Sequence, residues 1–204
     1  MFSITALRSG LFALWLLAAG GGIVVISNYQ DRQGSVGSTP EQWPAVRQIS
    51  LNHDHDTLVM FAHPQCPCTR ASVEELNRLL AQCRGRIAAY VLFFKPGQLP
   101  GNWTKTDLKQ SAAAIPGVTV RDDPDGMLAR TFGAETSGYV LLYDPRGRLL
   151  FRGGITAGRG HAGDNAGENA IVSLVAGQST SLQGTPVYGC SLLSQSCPRR
   201  GASQ

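Results

Sequence analysis

Charged side chains are scarce in this chain of 204 residues, at 16% of the composition. The 18 basic residues outnumber the 14 acidic ones only slightly, and the formal net charge is +4. The basic residues are scattered along the chain, whereas nucleic-acid binding needs them gathered on one stripe or patch. The sequence therefore predicts no nucleic-acid partner.

Charge is missing altogether from residues 10–27, which read G-L-F-A-L-W-L-L-A-A-G-G-G-I-V-V-I-S. As a helix, this segment is about 27 Å long, close to the thickness of a bilayer core. Arg8 precedes it, which favours a cytoplasmic N-terminus and an exported body. A cleaved signal peptide is the alternative, but the apolar run continues past the small residues at 18–22, where cleavage would fall. We therefore predict an uncleaved membrane anchor over residues 1–27.

Behind the anchor, composition divides the chain into three further parts. Residues 28–45 are polar and contain Gly, Ser and Pro, which predicts a linker that holds a folded body away from the membrane. Residues 46–178 have the length and apolar content of one domain with a single core. Residues 179–204 form a tail that contains Cys190 and Cys197.

Hydrophobic patterning within the domain predicts alternating strands and helices. Short apolar runs predict buried strands, and apolar residues three and four apart predict helices. The order is β-α-β-α-β-α-β-β-α, with strands at 57–62, 87–94, 118–121, 138–144 and 148–153, and helices at 72–83, within 104–114, near 124–132 and at 169–176.

Three segments carry a resemblance to a known family. They are F-A-H-P-Q-C-P-C-T-R at 61–70, D-P-D-G-M-L-A-R-T-F-G-A at 123–134 and Y-V-L-L-Y-D-P-R-G-R-L-L-F-R-G-G at 139–154. The element order begins with a β-α-β unit and ends with a β-β-α unit. With this order, the three segments resemble the thioredoxin-like superfamily over about residues 45–178. The resemblance is specifically to membrane-anchored extracytoplasmic proteins of the TlpA/RedB-like type. The resemblance implies an α/β fold, in which helices flank a central mixed sheet, and thiol–disulfide oxidoreductase activity.

The same resemblance implies a setting for that activity. The partners would be protein thiols or disulfides in the cell envelope, and no cofactor is expected. Together with the anchor, it implies a single-pass protein of the inner (cytoplasmic) membrane, whose domain faces the periplasm or the cell exterior.

The chemistry is predicted to reside in Cys66 and Cys68, which directly follow a buried strand. If a helix begins at Pro67, a residue suited to the first helical position, both sulfurs face unpaired backbone N–H groups that stabilise a thiolate. Arg70 adds positive charge nearby. His63 is expected either to assist proton transfer or to hold a structural hydrogen bond.

Two departures from the family pattern affect this site. The cysteines are spaced C-x-C, so a Cys66–Cys68 disulfide would close a small, strained and therefore oxidising ring. The second family cysteine falls at Thr69, which leaves Cys68 as the resolving thiol. Where the family has a cis-proline, this chain has Gly138, and we expect a trans peptide there. A larger residue at 138 is expected to hinder partner access more than folding.

The other cysteines are distinguished by their distance from this pair. Cys83 lies at the far end of the predicted helix, more than about 20 Å from Cys68, and is expected to be inert. Cys190 either bridges Cys197 or returns to resolve the Cys66/Cys68 pair, and the local Cys190–Cys197 bridge is the favoured expectation.

The glycine-rich loop at 153–169 supplies Arg159 and His161 as supporting residues. It also motivates an alternative function, a copper-binding chaperone that resembles the Sco-type proteins. In that case Cys66, Cys68 and His161 would bind copper, since thiolates and imidazole suit this metal. The C-x-C spacing argues against this alternative, because that family uses C-x-x-x-C.

Overall fold

The structure, a computed structural model, describes residues 4–99 and 103–193. Cys197, and with it the predicted Cys190–Cys197 bridge, lies outside these residues. The elements are, in order, α1 (Ile4–Gln30), β1 (Asp56–Ala62), α2 (Thr69–Cys83), β2 (Ile87–Lys95), α3 (Asp107–Ala113), β3 (Val118–Pro124), α4 (Met127–Phe132), β4 (Tyr139–Tyr143), β5 (Leu149–Gly153) and α5 (Ala166–Val175).

The strands form one five-stranded sheet in the order β3-β2-β1-β4-β5. β1, β2 and β3 are parallel, while β4 and β5 are antiparallel to their neighbours. β1 therefore lies in the centre, and six of its seven residues are fully buried. The predicted class, a mixed sheet flanked by helices with one apolar N-terminal helix, is confirmed.

The two faces of the sheet are covered by different parts of the chain. Because side chains alternate along a strand, Leu58 and Met60 point to one face of β1, and Val59 and Phe61 point to the other. The first pair packs against α2, α3 and α5. The second pair packs against α4 and against apolar residues from before β1 and after α5. Among the latter are Ile49, Val187 and Leu192.

From Arg8 onward, α1 is largely exposed and has the character of a membrane segment. Its stretch Arg8–Gln30 has 23 residues, a mean hydropathy of 2.1 and no buried residues. By length and composition it can cross a bilayer, a property that a signal sequence near an N-terminus shares.

The segment expected to be a free linker, 28–45, is instead held against the domain at several points, while most of its residues stay exposed. α1 extends to Gln30, and after it the chain lies against the sheet. The hydroxyls of Thr39 and Tyr139 share a hydrogen bond of 2.7 Å. The ring of Trp43 lies edge-on to Phe132 at 5.4 Å. These contacts correct the linker prediction. That prediction rested on the polar composition of the segment and did not take account of Trp43, which packs against the domain.

Candidate active site

Cys66 and Cys68 lie in the turn between β1 and α2. The Cys66 N–H donates to the His63 carbonyl at 3.1 Å, and the Thr69 N–H donates to the Cys66 carbonyl at 3.2 Å. α2 itself begins at Thr69, and Cys68 occupies its N-cap position. The helix thus begins two residues later than the predicted start at Pro67. Cys66 is 2% exposed, whereas Cys68 is half-buried.

A third cysteine joins this pair from the other end of the chain. The Sγ atoms of Cys66 and Cys190 lie 2.7 Å apart and share a hydrogen bond. Cys68 also exchanges side-chain hydrogen bonds with both of these thiols. The structure holds the four described cysteines as thiols. Three of them therefore form one sulfur cluster, while Cys83 is buried at the far end of α2.

The cluster favours a negative charge on Cys66. Hydrogen bonds from Cys190, then from Cys68, lower the pKa of Cys66 far below its usual range, and burial opposes this only in part. The Cys190 bond also lowers the pKa of Cys68, but the bond with Cys66, burial and the Cys66 charge outweigh it, and the net change is a rise. These contacts therefore favour ionisation of Cys66 over ionisation of Cys68.

The hydroxyl groups of Ser137 and Thr69 extend this network. The His63 N–H donates to Ser137 Oγ at 2.7 Å, and Ser137 Oγ lies 2.6 Å from Thr69 Oγ1. The Thr69 hydroxyl in turn lowers the pKa of Cys66 through a hydrogen bond. With one proton per hydroxyl, the consistent direction runs from His63 through Ser137 and Thr69 to the Cys66 sulfur. Neither Thr69 nor Ser137 was among the predicted site residues.

The side chain of His63 has a structural place in the described site. It is fully buried, and its Nδ1 accepts the Gln65 N–H at 3.2 Å. Its ring packs edge-on against Trp103 at 5.3 Å. Of the two roles expected for His63, these contacts support the structural one.

Pro67 and Arg70 border an open cleft beside Cys66. The cleft has a volume of about 240 Å³ and is lined by residues 64–67, Arg70 and 106–108. The Arg70 guanidinium pairs with the exposed Asp107 carboxylate at 2.5 Å instead of facing the thiols. A partner that enters the cleft would therefore contact the Arg70–Asp107 ion pair next to the almost fully buried Cys66.

Arg159, from the glycine-rich loop, supplies the nearby positive charge that was expected of Arg70. Its charge is the smallest of the contributions to the pKa of Cys68 and opposes the net rise of that pKa. Its Nε donates to the Arg32 carbonyl at 3.1 Å, and its guanidinium lies 5.3 Å from the centre of the Tyr29 ring. The loop thus lies between the end of α1 and the sulfur cluster.

His161 is exposed, and its Nδ1 lies 3.1 Å from the Arg159 carbonyl. Within residues 4–99 and 103–193, no group of three or more His, Cys, Asp or Glu side chains is arranged to hold a metal ion. The predicted copper set of Cys66, Cys68 and His161 therefore has no preformed geometry in the described part of the chain.

Gly138 borders the site, but its role differs from the expectation. The described residues contain no cis peptide bond. Gly138 has a φ of +91°, and a Cβ there would lie 2.8 Å from the Ser72 Oγ. Its N–H donates to the Phe61 carbonyl at 2.7 Å. A side chain at 138 would therefore disturb the fold as well as partner access, which corrects the earlier expectation.

Comparison with known proteins shows the fold. Neither protein-family models nor curated proteins match the chain. Among solved structures, a hypothetical protein from Sinorhizobium meliloti has a TM-score of 0.58 at 16% identity, covering 81% of this chain and 97% of that chain. An uncharacterized conserved protein from Geobacillus kaustophilus has a TM-score of 0.59 at 17% identity, covering 82% and 94%.

A putative thiol:disulfide interchange protein DsbE from Chlorobium tepidum is more distant in structure. Its TM-score is 0.45 at 18% identity, covering 71% of this chain and 99% of that chain. The strand order and the helices on both faces form a thioredoxin-like fold, as predicted, and the two structures with TM-scores of 0.58 and 0.59 share this fold.

Proposed function

We propose that this thioredoxin-like chain is a thiol–disulfide oxidoreductase that acts on protein partners from the extracytoplasmic side of the inner membrane. The observation that carries the proposal is the place of Cys66 just after a central strand, within hydrogen-bond reach of two thiols and one hydroxyl that favour its thiolate. A stabilised thiolate is the species that attacks a disulfide.

The exchange begins when the Cys66 thiolate attacks one sulfur of a partner disulfide. A Cys66–partner bond forms, and the other partner sulfur leaves as a thiolate that takes up a proton. A second thiol of the cluster, after losing its proton, then attacks the Cys66 sulfur and releases the partner's remaining thiolate. Two electrons pass from the chain to the partner, and the reverse sequence oxidises a partner dithiol.

The proposed location rests on α1 and on Arg8, which precedes its apolar stretch. With the N-terminus in the cytoplasm, the domain lies outside. A reporter enzyme fused to the C-terminus, active only after export, is expected to be active. Activity of a reporter that works only in the cytoplasm would contradict this orientation.

The activity is tested with the full chain in detergent and a small-molecule disulfide as substrate. Cys66→Ser is expected to abolish exchange, and Cys68→Ser is expected to slow it, because Cys66 loses a hydrogen bond that stabilises its thiolate. Cys83→Ser is the matched control, because this buried thiol lies at the opposite end of α2. Loss of exchange in Cys83→Ser would contradict the site. Tight Cu(I) binding that needs Cys66, Cys68 and His161 would favour the copper alternative.

A further inference from the structure

The segment 184–193 returns to the sulfur cluster and is fixed there from both sides. Val187 and Leu192 are buried in the core beneath the second face of the sheet. The Gly34 N–H donates to the Val187 carbonyl at 2.8 Å, and the Leu192 N–H donates to the Glu135 carbonyl at 2.8 Å. Cys190 is therefore held between two buried anchors.

This segment pairs with the backbone just before β4, much as an added strand would. The Ser137 N–H donates to the Cys190 carbonyl at 2.9 Å, and Thr136 forms an antiparallel bridge with Ser191. Gly189 makes the close approach feasible, since a Cβ there would lie 1.9 Å from the Ser137 carbonyl oxygen. An extended segment thus presents a cysteine directly to Cys66.

The position of Cys190 is the one that a partner's cysteine must take during exchange, because a mixed disulfide requires a sulfur at bonding distance from Cys66. We propose that Cys190 is a third catalytic thiol, and that the 184–193 segment acts as an internal substrate whose disulfide with Cys66 is the oxidised form of the chain. This inference rests on the proposed oxidoreductase function and adds the residue that closes its cycle.

Two observations favour Cys190 over Cys68 as the partner of Cys66. A Cys66–Cys68 bond closes a small, strained ring, whereas Cys190 comes from a separate segment and carries no such restriction. The Sγ atoms of Cys66 and Cys190 are already 2.7 Å apart, near the bonded distance of about 2.05 Å. Cys68 instead stabilises the Cys66 thiolate through a hydrogen bond.

The steps balance as follows. Cys66 attacks a partner disulfide, and the Cys190 thiolate then attacks the Cys66 sulfur of the mixed disulfide, which displaces the partner's remaining thiolate. The Cys66–Cys190 pair loses two electrons and two protons, and the partner gains them as two thiols. A donor dithiol reduces the chain by the reverse steps: its thiolate attacks Cys66, Cys190 leaves as a thiolate and takes up a proton, and the donor's second thiolate then attacks its own sulfur in the mixed disulfide and releases Cys66.

The test maps disulfides in the full chain, in detergent, after oxidation by glutathione disulfide. Digestion without reductant and mass spectrometry are expected to link the peptide of Cys66 to that of Cys190, in the wild type and in Cys68→Ser. Cys190→Ser is expected to accumulate glutathione on Cys66 and to slow turnover at least about tenfold, because an intramolecular attack is lost. Cys190→Ala serves if the serine variant fails to fold.

A second variant leaves all thiols in place. Gly189→Ala is expected to displace the segment from Ser137, so that Cys66 reacts faster with iodoacetamide and forms less of the Cys66–Cys190 link. An unchanged alkylation rate and link yield would overturn the proposal. So would a wild-type map that shows Cys66–Cys68 or Cys190–Cys197 in place of Cys66–Cys190.

The outcomes separate this inference from the function on which it rests. If Cys66→Ser is inactive and the link is Cys66–Cys68, the oxidoreductase function holds and the role of Cys190 fails. If Cys66→Ser still exchanges disulfides at the wild-type rate, the function itself fails, and the inference fails with it.

Discussion

At the scale of single residues, Thr69 takes the position of the second family cysteine and keeps a polar group there. Its hydroxyl lies 2.6 Å from Ser137 Oγ and lowers the pKa of Cys66. A hydroxyl cannot form a disulfide, so Thr69 stabilises the Cys66 thiolate but cannot become its redox partner. The redox partner of Cys66 must therefore come from Cys68 or from another segment.

Removal of this hydroxyl is expected to weaken the thiolate. A hydrogen bond to a charged acceptor contributes about 1.5–3 kcal/mol, so Thr69→Val and Ser137→Ala should each move the pH profile of Cys66 alkylation upward. The profile is measured by differential alkylation and peptide mass spectrometry. Thr131→Val is the matched control, since its hydroxyl donates to the Met127 carbonyl in α4. An unchanged profile in both site variants would contradict the hydrogen-bond chain.

Substitutions at Gly138 and Gly160 can separate two costs of a side chain at position 138: the contact with Ser72 and the strain of a positive φ. Gly138→Ala must adopt a φ of +91° and also meet the Ser72 Oγ, whereas Gly160→Ala meets only a φ of +72° with no atom within 4 Å. Backbone strain of this kind costs about 1–3 kcal/mol. We expect Gly138→Ala to lower the free energy of unfolding in urea by more than Gly160→Ala does, and Ser72→Ala to restore part of the difference. Equal losses would show that Ser72 is not a barrier.

At the scale of elements, α2 and α5 are joined through two buried carboxylates. Glu75 of α2 pairs with Arg78 and accepts the Gly163 N–H at 2.8 Å. Glu168 of α5 accepts from Gln82 Nε2 at 2.7 Å. The Asn165 amide lies 3.3 Å from each carboxylate. This cluster also fixes the end of the loop that carries Arg159.

The cluster should make stability depend on pH. Burial, followed by the hydrogen bond and charge of Glu75 and the charge of Asp164, raises the pKa of Glu168 to about 7 from 4.5, while Arg78 opposes the rise. A raised carboxyl pKa stabilises the fold fully below the unfolded value, and that stability is lost as pH rises through the folded value. The free energy of unfolding should therefore fall between about pH 4.5 and 7.

Glu168→Gln is expected to reduce this slope, because the amide keeps a hydrogen-bond acceptor and does not ionise. Urea unfolding across this pH range measures it. Glu135→Gln is the control, as this glutamate is exposed and does not belong to the cluster. A slope unchanged by Glu168→Gln would assign the pH dependence to other groups.

The elements were largely predictable from the sequence, whereas the meeting of distant residues was not. Alternation and helical spacing are local, so the order of strands and helices was predicted, as was the cysteine turn after β1. The start of α2 was misplaced because Pro67 suits a turn as well as a first helical position. The approach of Cys190 to Cys66 depends on Gly189 and on two buried anchors, which no local pattern of the tail indicates.

At the scale of the whole molecule, the end of α1 and the sulfur cluster are linked through Arg159. The Arg159 N–H donates to the Gln30 carbonyl at 3.2 Å, and its side chain contacts Tyr29 and Arg32. If α1 lies in a membrane, its last turn is at the surface, and these contacts place the thiols on the side of the domain nearest to that surface. Partners embedded in the membrane would then reach the site more readily than distant soluble ones.

Arg159→Gln is expected to raise the pKa of Cys68, because the guanidinium charge lowers it. The alkylation rate of Cys68 near neutral pH should fall, by no more than about fivefold, because solvent screens the partly exposed Arg159 charge. Arg121→Gln, at an exposed position of β3, is the control. Tyr29→Leu should change the rate in the same direction, since the ring positions the guanidinium. No change in Arg159→Gln would contradict the link.

The separation of 124 residues between Cys66 and Cys190 has a thermodynamic consequence. A disulfide across such a distance restricts the unfolded chain, and by the chain-entropy model it stabilises the fold by about 5 kcal/mol. By thermodynamic linkage, folding stabilises the disulfide by the same free energy. For a two-electron couple, this corresponds to a difference of about 100 mV in the reduction potential of the disulfide between the folded and unfolded chain. A reductant in the envelope would then act on this chain as a denaturant does, and an oxidant as a ligand that binds only the folded form.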